Sequence, residues 1–134
     1  LIEQLIERER FDTMSELASH LPLTIVRDLV GFGDQGRENM LRWASATFDL
    51  NGVQNERGKA AFEVFMEARR FAQSQTPETA KPGSWTHRLL DVVRRGDLPA
   101  ELLPHAMRDY IVPSLDTTIS ATGELIYQLG RNPD

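Results

Sequence analysis

A chain of 134 residues, 40% hydrophobic and 26% charged, has the make-up of one globular domain with a moderate core. Its net charge of −5 and lack of any basic run argue against a nucleic-acid partner, and no apolar stretch is long enough to cross a bilayer or follows a secretory signal. With no cysteine, the sequence offers neither a disulfide nor a thiolate ligand, and a cytoplasmic location is expected.

Helix signals dominate and no strand is convincing. Residues 1–10 carry Leu1, Ile2, Leu5 and Ile6 on one face. After a break at Phe11-Asp12-Thr13-Met14, Thr13 with Glu16 fits a capping box. This predicts a helix over 15–30, which Pro22 interrupts or restarts and Gly31-Phe32-Gly33 stops. Residues 34–50 read as the next helix, with Met40, Leu41, Trp43, Ala44 and Phe48 apolar. A polar loop from Asn51 through Gln54 to Gly58 leads to a helix over 58–75, striped with Ala61, Phe62, Phe65, Met66 and Phe71. The linker Ser74 to Gly83 contains Pro77 and Pro82, and Ser84 then caps a helix over 84–96. Pro99 starts the longest helix, over 99–130. The chain starts inside an amphipathic pattern and stops at Asn132-Pro133-Asp134, where a new helix would begin, so a piece of a longer protein is expected.

The long helix is unusual. From Tyr110 to Gly123 its only charge is Asp116, and apolar residues occur on every side, so it should be surrounded by protein. In its middle stands Pro113-Ser114-Leu115-Asp116-Thr117-Thr118. A buried acid there is costly unless satisfied. Pro113 has no N–H, so the carbonyl of Asp109 loses its helical donor, and the Thr117 hydroxyl can reach the carbonyl of Pro113. Together these predict a local opening of the helix. Asp109, Val112, Pro113, Asp116, Thr117 and Ser120 share one mixed face, as the wall of a pocket would. Taken alone, the Asp-Thr-Thr triplet fits a solvated acid beside two packed threonines better than a site; the proline and the shared face favour a site.

The run from Asp109 to Thr118, followed by Leu129-Gly130-Arg131-Asn132-Pro133-Asp134, resembles the long central helix of bacterial cytochrome P450 monooxygenases. Upstream, Phe11-Asp12, Leu21-Pro22-Leu23 and Leu29-Val30-Gly31 resemble the segment leading out of that family's D helix and through its E helix. The resemblance covers residues 1–134 as an internal part of one all-α P450 domain. Its parts would be D-like 1–10, E-like 15–30, F-like 34–50, G-like 58–75, H-like 84–96 and I-like 99–130, with 51–57 as a lid. It implies a haem-thiolate enzyme that inserts one atom of O2 into a small hydrophobic or aromatic substrate, fed by a redox partner such as a ferredoxin.

By matching position, Asp116 and Thr117 would be the catalytic acid and alcohol that deliver protons during dioxygen activation. Pro113, Ser114 and Thr117 would lie against the haem, and Asp109, Val112 and Pro113, with Phe48, would face substrate. Pro113 and Ser114 depart from the family's preferred small pair, Ala-Gly or Gly-Gly. The haem-ligating cysteine has no counterpart, so this chain alone should be inactive. The family's Glu-x-x-Arg spacing occurs only upstream, at Glu7…Arg10 and Glu67…Arg70, as helix-face pairs. His20, His87 and His105 are scattered, so no metal site is expected. With Tyr110, Ile111, Val112, Leu115 and Ile119 uncovered, the fragment should self-associate. Six phenylalanines favour an apolar substrate, whereas Asp109 argues against a simple acid pocket. One of Arg37, Arg42 and Arg57 could pair with Asp116 and gate its proton relay.

Two other readings stand beside this one. The first is a haem-free helical scaffold with the same fold. The second is a dinucleotide-binding domain, because Gly31, Gly33 and Gly36 fit G-x-G-x-x-G and Asp49 could hold a ribose. The latter needs a strand before Gly31, where Leu21, Ile25, Val26, Leu29 and Val30 are spaced as in a helix.

Overall fold

The computed structural model describes residues 1–8, 10–53 and 55–132; Glu9, the lid residue Gln54 and the terminal Pro133 and Asp134 lie outside them. The chain is all-α: α1 (Ile2–Glu7), a π-helical stretch (Thr13–Ala18), α2 (His20–Val30), α3 (Asp34–Asn51), α4 (Glu56–Gln73), α5 (Trp85–Arg94), a 3-10 turn (Ala100–Leu102) and α6 (Leu103–Arg131). No strand occurs among the described residues.

The helix expected over 15–30 is two pieces. The first is capped by Asp12 rather than Thr13: its carboxylate accepts from the Ser15 N–H at 2.7 Å, and Glu16 Oε1 accepts from the Asp12 N–H at 2.9 Å. That is the reciprocal arrangement of a capping box, one residue earlier than the spacing suggested. Pro22 falls in the first turn of α2, where its missing N–H would have had no helical partner. The longest helix likewise starts at Leu103, not Pro99, with Pro104 in its first turn. Asn55 caps α4, accepting from Arg57 and Gly58 N–H at 3.0 and 3.1 Å, and Ser84 caps α5, accepting from the His87 N–H at 3.2 Å.

Every fourth residue of α6 is buried, through Leu103, Met107, Ile111, Leu115, Ile119 and Gly123. Against this stripe pack Val26 and Val30 of α2, Met40, Trp43 and Ala44 of α3, Ala72 of α4, and Leu89 and Leu90 of α5. Aromatic contacts fasten the α3–α4 side, with Phe71 set 5.0 Å from Phe32 and 4.8 Å from Trp43 between ring centres.

Two expectations about α6 are corrected. It is not surrounded: Asp109, Pro113, Thr117, Thr118, Ser120 and Ala121 are exposed, because the helices pack on one side of it. Nor is it broken, since the helix runs unbroken through Pro113. The proline sits on the exposed side, where solvent can serve the carbonyl of Asp109. Ile111, Leu115 and Ile119, expected to be uncovered, are in the core.

Candidate functional site

The middle of α6 presents its polar residues in two directions. Thr117 Oγ1 donates to the carbonyl oxygen of Pro113 at 2.7 Å, the back-bond that the sequence predicts. The Thr117 side chain lies on the open side, over a shallow hollow it shares with Thr118, Ala121, Thr122 and Leu125. Asp116, one residue earlier and about 100° around the helix, turns towards α3. It is half-buried and accepts from Ser45 Oγ at 3.3 Å. Acid and alcohol are therefore adjacent in sequence, but no described residue closes over both.

Among the described residues no arginine pairs with Asp116. Arg37 meets Asp28 at 3.3 Å, Arg57 meets Asp49 at 2.8 Å, and Arg42 bonds Glu67. Ser45 takes the place expected for a cation because Arg42, one turn back on α3, is drawn to α4. Trp43 Nε1 also donates to Glu67, at 3.2 Å. Burial pushes the Glu67 carboxyl up, but hydrogen bonds from Arg42 and Trp43 outweigh it and hold the group below its ordinary range.

Next to this region, Thr47, Leu50 and Asn51 of α3, Phe65 of α4, and Arg108, Asp109, Val112 and Pro113 of α6 surround a hollow of about 420 Å³. A size of a few hundred Å³ suits a small organic molecule. Behind it lies an apolar cavity of about 40 Å³, lined among others by Trp43, Phe71, Met107 and Ile111. Thr47, Phe65, Arg108 and Val112 line both spaces.

Three of the four residues expected at substrate thus come together: Asp109, Val112 and Pro113. Phe48 does not join them; it is an exposed side chain outside the hollow, and Thr47 occupies its place. One residue along a helix rotates the side chain by about 100°, enough to exchange wall for surface. Thr47, Leu50 and Arg108 were not anticipated. The spacing of Thr47 and Leu50 from the buried Trp43 and Ala44 carries that signal.

Haem can be tested against the residues present. The sequence holds no cysteine, and no group of histidine, aspartate or glutamate among the described residues could hold a metal ion. The chain does not build a haem-thiolate centre by itself; of the residues expected against the haem, Pro113 and Thr117 are exposed and Ser114 is half-buried. The dinucleotide reading is overturned. Gly31 ends a helix rather than a strand, with φ 75° and its N–H bonded to the Arg27 carbonyl, Gly36 lies inside α3, and Asp49 is paired with Arg57.

No family model matches the sequence. The chain is 30% identical over 136 residues to cytochrome P450 CYP199A2 of Rhodopseudomonas palustris, covering 99% of this chain and 33% of that protein. It is 29% identical over 138 residues to cytochrome P450 107B1 of Saccharopolyspora erythraea, covering all of this chain and 33% of the relative. The chain therefore spans about a third of the length of the curated relatives it matches. Along its whole length the chain is thus similar to a third of two bacterial cytochrome P450s, and its all-α frame with one long C-terminal helix is consistent with an internal segment of such a protein.

Proposed function

We propose that this chain forms the substrate lid and the oxygen-side helix of a haem monooxygenase that inserts one atom of O2 into a small apolar or aromatic molecule. A haem held by a thiolate from outside these 134 residues would supply the binding and reduction of dioxygen. The chain's own residues would bind substrate and handle protons. Phe65, Val112 and Leu50 give the hollow an apolar wall against which a substrate sheds water. Thr117, whose hydroxyl hydrogen rests on the Pro113 carbonyl, keeps its lone pairs free to accept, and by rotating can pass a proton outward. Asp116, half-buried beside Ser45, would be the neighbouring relay through which that proton is replaced. Residues 51–57, between α3 and α4, would be the lid. Electrons would come from a redox partner such as a ferredoxin, and the enzyme would work in the cytoplasm. No helix of the described residues is long and apolar enough to cross a membrane. These 134 residues alone would be inactive.

The observation that supports this most is that Asp109, Val112 and Pro113 line one hollow, one turn from the Thr117–Pro113 back-bond. The test is made on the full-length protein. Its reduced, carbon monoxide-treated form should show the absorbance band of a thiolate-bound haem. Thr117→Ala should then keep consuming electrons while product falls roughly tenfold or more and peroxide appears. Unchanged product yield removes the role from Thr117. A protein that binds no haem is instead a helical scaffold with this fold.

A further inference from the structure

Of the four methionines, Met40 and Met107 are sealed in the core at 0% and 1% exposure, Met66 is half-buried, and Met14 stands 44% exposed. Exposure makes a thioether open to oxidation; the seat of this one gives oxidation a consequence. The Met14 side chain lies across α6 where Gly123, itself buried, leaves a notch. A β-carbon on Gly123 would stand 2.0 Å from Met14 Sδ and 2.9 Å from its Cε, so the sulfur occupies volume that any other residue at 123 would fill. The notch is open on one side. A hollow of about 710 Å³, walled by Met14, Gly123, Ile126 and Tyr127 among others, leaves a small oxidant room to reach the sulfur.

The backbone of Met14 ties this contact to the π-helical stretch. Its carbonyl accepts from the Ser19 N–H at 3.0 Å, the five-residue step of a π turn, and also from Ser19 Oγ. Of the six residues Thr13–Ala18 only Ala18 is buried, so few contacts besides that of Met14 fasten the stretch to α6.

We propose that Met14 is a redox-sensitive latch, whose conversion to the sulfoxide by hydrogen peroxide releases the Thr13–Ala18 stretch from α6. A lone pair of the thioether sulfur attacks one peroxide oxygen, and an S–O bond forms as the O–O bond breaks. The departing hydroxide takes the proton from the transferred oxygen and leaves as water. Sulfur gives up two electrons and peroxide accepts them. The product is polar where the thioether was apolar, and its new oxygen has to turn to water rather than to the floor of the notch. That draws the side chain off Gly123, and the Met14–Ser19 hydrogen bonds then open more often. The latch needs neither haem nor the hollow beside Pro113, so it stands apart from the monooxygenase reading.

The test treats full-length protein with hydrogen peroxide and follows each methionine by peptide mass spectrometry, with amide hydrogen exchange over residues 14–19 measured on the same samples. Met14 should oxidise roughly tenfold faster than Met40 or Met107. Exchange at Ser19 should quicken on the order of tenfold in step with it, and methionine sulfoxide reductase should restore the slow exchange. Met14→Leu should exchange slowly before and after peroxide, whereas Met14→Gln, polar from the start, should exchange fast without it. Gly123→Ala fills the notch, so it should also exchange fast and change no further under peroxide. Oxidation of Met14 no faster than that of the core methionines overturns the proposal. Met14 sulfoxide with unchanged exchange at Ser19 does so too, as does a Met14→Leu protein that still loosens under peroxide, because the loosening then arises elsewhere.

Discussion

Gly31 joins three parts of the molecule. It closes α2 at φ 75°, its N–H bonds the Arg27 carbonyl at 3.0 Å, and its own carbonyl accepts from the Lys81 N–H at 2.9 Å. A β-carbon there would stand 2.2 Å from Cβ of Ser84, the residue that caps α5. Gly83 has nearly the same backbone, φ 77°, but open space where its β-carbon would be. The pair separates strain from collision. Gly83→Ala should lose only the cost of a left-handed residue, about 1 kcal/mol. Gly31→Ala should lose that and the displacement of the α5 cap, about 3 kcal/mol or more. Urea denaturation of both variants measures the difference; equal losses would mean that residues 81–84 step aside freely.

Between elements, the polar fastening of α3 to α4 is Glu67, bonded by Arg42 and by Trp43 Nε1. Burial works against the charged carboxylate, and the hydrogen bonds from Arg42 and Trp43 more than offset it, so Glu67 titrates below its ordinary value of 4.5. A carboxyl depressed by folding adds stability above its unfolded value and gives it up as pH falls through the folded one. Stability should therefore decline as pH drops below about 4.5, and Glu67→Gln should flatten that decline. Asp12 and Glu16 are lowered as well, by the Ser15 N–H and by the Arg8 side chain respectively, and titrate in the same window. The readout is accordingly the difference between the two acid limbs, followed by tryptophan fluorescence, and superimposable limbs would remove Glu67 from the account. None of this pairing was legible in the sequence. Periodicity located the helices at 34–50, 58–75 and 84–96 because one apolar face repeats at the helical spacing in each. It joined Thr13–Ala18 to α2, since a π-helical stretch leaves no separate periodic mark. It could not tell which arginine would meet Asp116, because partners on different helices depend on packing that spacing does not encode. Asp109, Val112 and Pro113 were legible as one wall because they lie on one helix. Thr47 and Phe65, across the hollow, come from two others.

At the scale of the molecule, the structure buries one side of α6 thoroughly and leaves large apolar side chains elsewhere in water. Met107 and Leu115 are 1% and 0% exposed, so Leu115→Ala should cost about 2–5 kcal/mol by leaving a cavity the fixed helices cannot close. By contrast, Leu21, Ile25 and Leu29 form an exposed stripe on α2 at four-residue spacing, and Leu125, Tyr127 and Leu129 are exposed near the end of α6. The uncovered surface is thus not the middle of α6, where sequence placed it, but the outer face of α2 and the distal end of α6. An apolar stripe on an amphipathic helix gains by meeting another. The 134-residue chain in isolation should therefore self-associate, giving a scattering mass of a dimer or larger. Changing Leu21, Ile25 and Leu29 together to glutamine touches no member of the core cluster, so helical circular dichroism should persist while the mass falls towards that of a monomer. A monodisperse monomer before any substitution contradicts the argument. Association that survives the triple change moves it from α2 to the end of α6, where Leu125→Gln with Leu129→Gln is the corresponding variant.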